Sequence, residues 1–271
     1  MSFSKNMPWV IVRLRDQQFA ISTNYVKEMV RLPNVVSVPK TPSYIRGVIN
    51  LRGKVFPVLD LRVKLGMESL PSEIYGVTQL LEKREEDHKN WLDELEASVN
   101  ENRAFKLTTD PHQCAFGKWY DGFNTDNRML ARCLKKFDEP HQKIHTIAIY
   151  AKEFVEKGSP DEARDLILNT KNHELSELLS LFAEARRLMV EECREIALCL
   201  EVNHRIMAVT VDFIETVERL QETEIDALPE SMCTMNNDYL SGIGKKKNGV
   251  DLVQLLEMEK ILFNDDALSY Q

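Results

Sequence analysis

The 271-residue chain predicts a multidomain α and β protein: a β domain built from two similar small units and interrupted by an inserted helical bundle. Three observations carry that prediction. Hydrophobic residues alternate near both ends but recur three and four apart between them, the two ends repeat one another, and the helix-start signals fall in the middle. At roughly 150 residues per domain the length suits about two domains.

The first seventy residues read as β structure. In WVIVRLRDQQFAIS apolar and polar residues partly alternate on either side of a turn candidate at Asp16-Gln17, which predicts a hairpin. NYVKEMVRL follows with the spacing of one or two helical turns. GVINLRGKVFPVLDLR predicts a second hairpin, punctuated by Arg52-Gly53-Lys54, with Pro57 marking an edge strand or a bulge.

From Ser72 to about Glu192 the period changes, as in Leu81, His88, Trp91 and Leu95, or Leu175, Leu178, Leu179, Phe182 and Leu188. Ser159-Pro160-Asp161-Glu162 and Asp138-Glu139-Pro140 each offer a polar cap and a proline in the first turn. Three long helices and one or two short ones are expected. An up-down bundle returns its ends close together, as insertion into a loop requires.

The far end repeats the beginning. FAISTNYVKEMVRL (Phe19 to Leu32) lies over MAVTVDFIETVERL (Met207 to Leu220): Ala20 matches Ala208, Tyr25 matches Phe213, and Arg-Leu closes both. YIRGVI from Tyr44 echoes YLSGIG from Tyr239, each ahead of a hairpin candidate. Copies this small enclose little core alone, so they are expected to pack together as small barrels side by side.

Composition narrows the function. With 29% charged and 43% hydrophobic residues the chain folds, and a net charge of -8 argues against nucleic-acid binding. Lys245-Lys246-Lys247 reads as a solvated loop. No run approaches the ~20 apolar residues of a membrane span, and the opening MSFSKN is no signal peptide, so a cytoplasmic protein without membrane insertion is expected. The five cysteines, Cys114, Cys133, Cys193, Cys199 and Cys233, form no C-x-x-C pair, which in a reducing compartment leaves buried hydrophobes, metal ligands or redox groups. No Ser/His/Asp arrangement, P-loop or dinucleotide glycine motif is evident, and no catalysis is expected.

One constellation stands out. His141 and His145, four apart, share a helix face with Ala148 and Val155, and His88 shares one with Leu81, Trp91 and Leu95. A lone inward histidine is usually a hydrogen-bonded core residue. Three of them beside Cys114 in CAFGKWY weigh differently, because each imidazole buried without a partner costs about 1–3 kcal/mol. A metal removes that cost, and a set of one cysteine with three histidines suits tetrahedral zinc. Four protein ligands leave no open position, which favours a structural or sensing site over a hydrolytic one. His112, two residues before Cys114, is a rival ligand; His173 and His204 lie in turn-like contexts and read as solvated.

HKNWLDEL at His88, CAFGKWY at Cys114 and EPHQKIH at His141 resemble, in order, the blocks of the chemoreceptor zinc-binding (CZB) domain family over about Ser72 to Glu192. The resemblance implies zinc held by His88, Cys114, His141 and His145, with His112 outside the set. Phe116, Trp119 and Tyr120 would pack the cysteine, and Gly117 would permit a tight backbone approach. The flanks VKEMVRL, VPKTPSYIRGVINLRGKVFPVLDLRVKLGM and DYLSGIGKKKNGVDLVQLLEMEKIL resemble the CheW-like adaptor domain through nearly all of residues 8 to 263 once the insert is removed. That implies a pair of five-stranded β-barrels with a four-helix-bundle-like zinc-binding insert, divided as 8–71, 72–192 and 193–263.

The same resemblance implies a chemotaxis adaptor that links methyl-accepting chemoreceptors to a CheA-type histidine kinase without catalysis. Glu28 and Arg52 match its acidic and basic contact residues. Val26 and Gly47 belong to the same motifs, with core packing and a turn requirement as their ordinary explanations. Two readings of the insert stay open. Zinc level or oxidation of the Cys114 thiolate modulates the coupling, or the zinc is purely structural and the insert is a scaffold or docking spacer. A zinc-water enzyme is a third, disfavoured by the four ligands.

Overall fold

A computed structural model describes residues 7–125, 127–192, 195–228, 239–246 and 251–263. The chain begins with β1 (Met7–Leu14), β2 (Gln17–Ser22), β3 (Val26–Arg31), β4 (Ile45–Leu51), β5 (Lys54–Asp60) and a short α1 (Leu61–Lys64). Helices follow: α2 (Leu70–Asn100), α3 (Ala115–Gly122), α4 (Arg128–Lys135), α5 (Asp138–Glu156), α6 (Pro160–Thr170), a π turn (Lys171–Leu175) and α7 (Ser176–Glu192). The chain then returns to strands, β6 (Ile196–Val202), β7 (Arg205–Val211), β8 (Phe213–Leu220), the two-residue β9 (Ile225–Asp226), β10 (Leu240–Lys245) and β11 (Leu252–Leu256), before α8 (Met258–Phe263). Two compact units result, residues 1–72 with 194–271, and residues 73–193.

In the β unit the strands form two mixed sheets, ordered β8-β1-β2-β11-β10-β9 and β3-β6-β7-β5-β4. The sequence repeat explains both. Setting β6, β7, β8, β10 and β11 as the counterparts of β1 to β5 makes the two orders identical, with β9 added at one edge. The parallel joints correspond too: Ala20 faces Leu255, and its counterpart Ala208 faces Val58. Register shifts at Gly47 and at Gly242 occupy the same place in the two copies. Each sheet therefore draws strands from both copies, which corrects the expectation of one separate barrel per copy. The physical reason is edge protection, since the third strand of each copy covers the open edge of the other copy's first strand.

Several local expectations shift. NYVKEMVRL is a strand, not a helical turn: burial alternates residue by residue along Val26–Arg31, which pairs antiparallel with β6. The first hairpin turns at Arg15-Asp16, one residue earlier than expected, with Arg15 at φ 55° and Gln17 already in β2. Pro57 sits within β5, an interior strand, yet β7 pairs with β5 only from Val58 onward, so the proline lies outside the parallel ladder. Lys245 closes β10 and Lys246 is largely buried against Glu215 at 3.3 Å, so neither belongs to a solvated loop; Lys247 lies outside the described residues.

The helical unit has three long runs, α2, α5 and the continuous stretch from α6 through the π turn to α7, with α3 and α4 as the short pair. Pro160 opens α6, although the Ser159 side chain makes no capping bond. Asp138 is the first residue of α5 rather than its cap, because its carboxylate accepts from the Tyr120 hydroxyl at 2.7 Å. His173 is exposed but inside the helical π turn, and His204 occupies an exposed turn at φ 65°. Phe116, Phe137 and Phe182 are fully buried at the centre with Leu81, Leu92, Leu95, Ile144 and Leu178. Among the described residues no helix is long and apolar enough to cross a membrane.

Candidate metal centre

Three helices converge on one point inside the helical unit. His88 projects from α2, His141 and His145 project from successive turns of α5, and Cys114 is the N-cap of α3. Extended backbone at Cys114 turns its sulfur to accept the Gly117 N–H at 3.2 Å. Only glycine fits at 117, because a Cβ there would lie 1.9 Å from the Pro111 carbonyl oxygen. One ligand atom from each of the four residues lies within 4.8 Å of the others, and Cys114 Sγ is 3.3 Å from His141 Nε2.

The three imidazoles are buried and meet edge to face, with centroid separations of 5.0, 5.8 and 4.9 Å. His88 Nδ1 lies 2.6 Å from the Arg84 carbonyl oxygen, so it carries the proton and donates, which leaves Nε2 with a bare lone pair. That Nε2 and both ring nitrogens of His145 are buried without a hydrogen-bond partner among the described residues. Trp91 packs on His145 at 4.9 Å and donates its indole N–H to the Thr108 carbonyl at 2.9 Å.

Burial sets the charge states. It pushes His88 below the ordinary imidazole value, and with help from the neighbouring imidazoles it takes His141 down to about 3. His145 falls to about 4 through burial and the charge of His88, against an opposing pull from Thr108 and Asp110. Burial also pushes the Cys114 thiol up, opposed by the N–H groups of Gly117 and Phe116. Three neutral imidazoles and one sulfur, with orphaned lone pairs aimed inward, are a donor set for a borderline-soft cation. A tetrahedron of three nitrogens and one sulfur at metal-ligand lengths has edges of about 3.3–3.6 Å, so a contraction of about 1.2–1.5 Å closes the widest spacing. The residues fit such an ion, and all four positions are taken by protein.

A cavity of about 350 Å³ reaches His88, Cys114 and His145 past Asp87, Asn90 and Thr108. His112 stays outside the cluster, exposed, with Nδ1 3.0 Å from Asp121, whose carboxylate raises the imidazole's affinity for a proton. Cys133 and Cys199 are buried hydrophobes whose thiols burial pushes up to about 11; Cys193 and Cys233 lie outside the described residues. Sequence reasoning did not find the Arg84 carbonyl or the Trp91–Thr108 bond, since backbone acceptors leave no residue-type signal.

In the β unit Arg52 stands at the β4–β5 hairpin tip with φ 51°, its side chain 87% exposed and 3.5 Å from Glu28. The structure thus brings these two together at the surface. Val26 packs partly buried against the main β core. Gly47, at φ 138°, is a steric requirement, because a Cβ there would meet the Val36 carbonyl oxygen at 2.1 Å.

Family models match two stretches of the chain, a CheW-like domain at residues 8–86 and a chemoreceptor zinc-binding domain at residues 88–152. Chemotaxis protein CheW of Helicobacter pylori is 43% identical over 54 residues, covering 20% of this chain and 33% of that protein. A probable chemotaxis protein CheW of Rhizobium etli is 39% identical over 59 residues, 22% of this chain and 38% of that protein. The chain thus spans between about a third and two fifths of the length of these relatives. The crystal structure of scaffolding protein TtCheW from Thermoanaerobacter tengcongensis aligns with a TM-score of 0.46 and 13% identity, over 97% of this chain and 95% of that one.

Proposed function

We propose, from the premise that a CheW-like domain at 8–86 is followed by a chemoreceptor zinc-binding domain at 88–152, that the chain is a chemotaxis coupling adaptor whose helical unit binds zinc and modulates the coupling. It works in the cytoplasm between chemoreceptors and a CheA-type histidine kinase. Strands β6 to β11 complete the CheW-like fold begun by β1 to β5, with each sheet curling into a small barrel, and residues 73–193 are the zinc-binding insert of four-helix-bundle type. Glu28 and Arg52 offer a carboxylate and a five-donor guanidinium to a partner surface.

The observation that carries the reading is the convergence of His88, Cys114, His141 and His145. Zinc bound there would supply positive charge that holds Cys114 as a thiolate. The chain's own groups do the rest. The Arg84 carbonyl fixes the His88 tautomer, the Gly117 N–H steadies the sulfur, and Trp91 fixes the His145 ring. Modulation is favoured over a purely structural zinc because Cys114, alone among the four, is only partly buried, and a cavity leads to it.

The test is metal content by elemental analysis for wild type, Cys114→Ser and His145→Ala, read alongside pull-down of a CheA-type kinase and its activity. About one zinc per chain is expected, lost or weakened in both variants, with pull-down retained and kinase output changed in the zinc-poor protein. Stoichiometric zinc in both variants overturns the site. Unchanged kinase output after zinc removal would leave the metal as a structural element of a docking spacer.

A further inference from the structure

A second cavity, of about 680 Å³, opens in the helical unit between the C-terminal half of α2, the connecting segment 101–110 and α5. Its apolar walls come from Leu95, Val99, Phe105, Leu107, Ala148 and Val155. That volume falls within the few hundred to ~1,000 Å³ of small-molecule sites.

We propose that this cleft is a binding site for a small uncharged apolar molecule, and that its occupancy is linked to the metal centre through Phe105 and Trp91. The charges at its rim indicate the ligand class. Arg103 gives Nη1 and Nη2 to Glu94 at 2.5 and 2.9 Å and Nε to Glu101 at 2.5 Å, while Lys152 and Glu156 face each other at 3.7 Å. Each rim charge is thus met by its neighbour, and the site selects by shape and apolar contact. The Ser98 hydroxyl is likewise satisfied by the Leu95 carbonyl at 2.7 Å. A second copy of the chain is a poorer occupant, because two-fold pairing of a concave patch on itself sets void against void.

The linkage follows from shared walls. Leu107 lines this cleft and also the cavity that reaches Cys114. Phe105 packs edge-on against Trp91 at 4.9 Å, and Trp91 packs against His145 at 4.9 Å. A guest seated on Phe105 and Leu107 braces the segment that holds the indole against the ligand ring. Binding at the cleft stands without the metal reading; the linkage rests on it.

The probe is N-phenyl-1-naphthylamine, uncharged and fluorescent in apolar surroundings, titrated into the zinc-loaded full chain. Saturable binding of one probe per chain is expected, weakened about tenfold or more by Ile149→Glu and by Val99→Trp. Ile149 is 51% exposed, so the first variant keeps the fold even if the second, at a buried position, does not. Saturating probe is expected to slow zinc transfer to a colorimetric chelator by about fivefold, an effect absent in Ile149→Glu. Non-saturable binding, or equal binding by wild type and Ile149→Glu, overturns the site, as does a dimer in sedimentation that excludes the probe. Probe binding with unchanged zinc transfer overturns the linkage alone, and a chain that takes up no zinc sinks the metal reading while the cleft is judged on the titration.

Discussion

In the β unit the buried Arg62 lies against Asp212, donating from Nε at 2.7 Å and again from Nη2, with Nη1 turned to the Glu68 carbonyl at 3.4 Å. Lys64, also buried, sets its ammonium 4.1 Å from the ring centroid of Tyr44 and 5.3 Å from that of Tyr239. In the helical unit His88 and His145 keep three ring nitrogens with no partner among the described residues, at similar depth. The first region, the Trp9 indole nitrogen aside, finishes its polar interior from its own chain. The second assembles donors from three helices and leaves them facing one another, an arrangement that a bound cation would stabilise. Buried polarity by itself does not mark a site, nor does a single unmet atom such as Trp9 Nε1; several unmet ring nitrogens converging on one sulfur do.

Chelation is the harshest way to test that contrast. Removing zinc from the loaded protein is expected to speed amide exchange in α2, α3 and α5 by a hundredfold or more, since structural zinc contributes on the order of 10 kcal/mol or more to the folding of small sites. Exchange in β1, β2, β6 and β7 is expected to hold. Equal loosening of both regions would show that the helical cluster is no more dependent on an ion than the arginine pair.

Acid sharpens the comparison next. In zinc-free protein His141 and His145 sit at about 3 and 4, below the ~6.5 of an unfolded chain. Between those values the unfolded chain binds protons that the folded one refuses. Stability is therefore present above about 6.5 and falls as pH drops toward 4, by up to ~1.4 kcal/mol per pH unit for each histidine. Glu195 in the β unit is pushed the other way, because burial outweighs the help of Arg46, so acid does not weaken that unit through it. Urea midpoints of the zinc-free helical signal, taken from pH 7 to 5, are expected to fall steadily, and a flat profile would contradict the buried, neutral imidazoles.

How much of this was legible in the chain depends on how local the cause is. The long helices could be read because each carries its apolar residues three and four apart, and the inward placement of His141 and His145 follows from the same spacing. The repeat was visible, but not the exchange of strands between its copies, because pairing of β3 with β6 or β8 with β1 is decided across well over a hundred residues. Val26, Met29 and Val30 fit one helical face, while Val26 and Val30 alone fit the inner face of a half-buried strand with Met29 exposed, and only the partner strand decides between them. Gly117 was readable as a close approach; the oxygen it approaches, on Pro111, was not.

The smallest expected net effect, that of a double replacement, probes the satisfied side of the comparison. Asp212→Ala removes the carboxylate that accepts from Arg62 Nε and Nη2 and leaves a guanidinium only 5% exposed with fewer partners, and breaking such a pair costs about 3–5 kcal/mol. If the pair is only self-compensation, replacing both members with apolar residues, Arg62→Met with Asp212→Leu, recovers most of that loss in urea unfolding. The Arg15 backbone N–H, which also donates to Asp212 at 2.7 Å, then has water as its recourse, because Arg15 is exposed. The helical cluster offers no such rescue. Apolar replacement of His88 and His145 can restore packing there, but it removes the donors, so folding recovered without zinc would separate what that unit needs to fold from what it needs to bind.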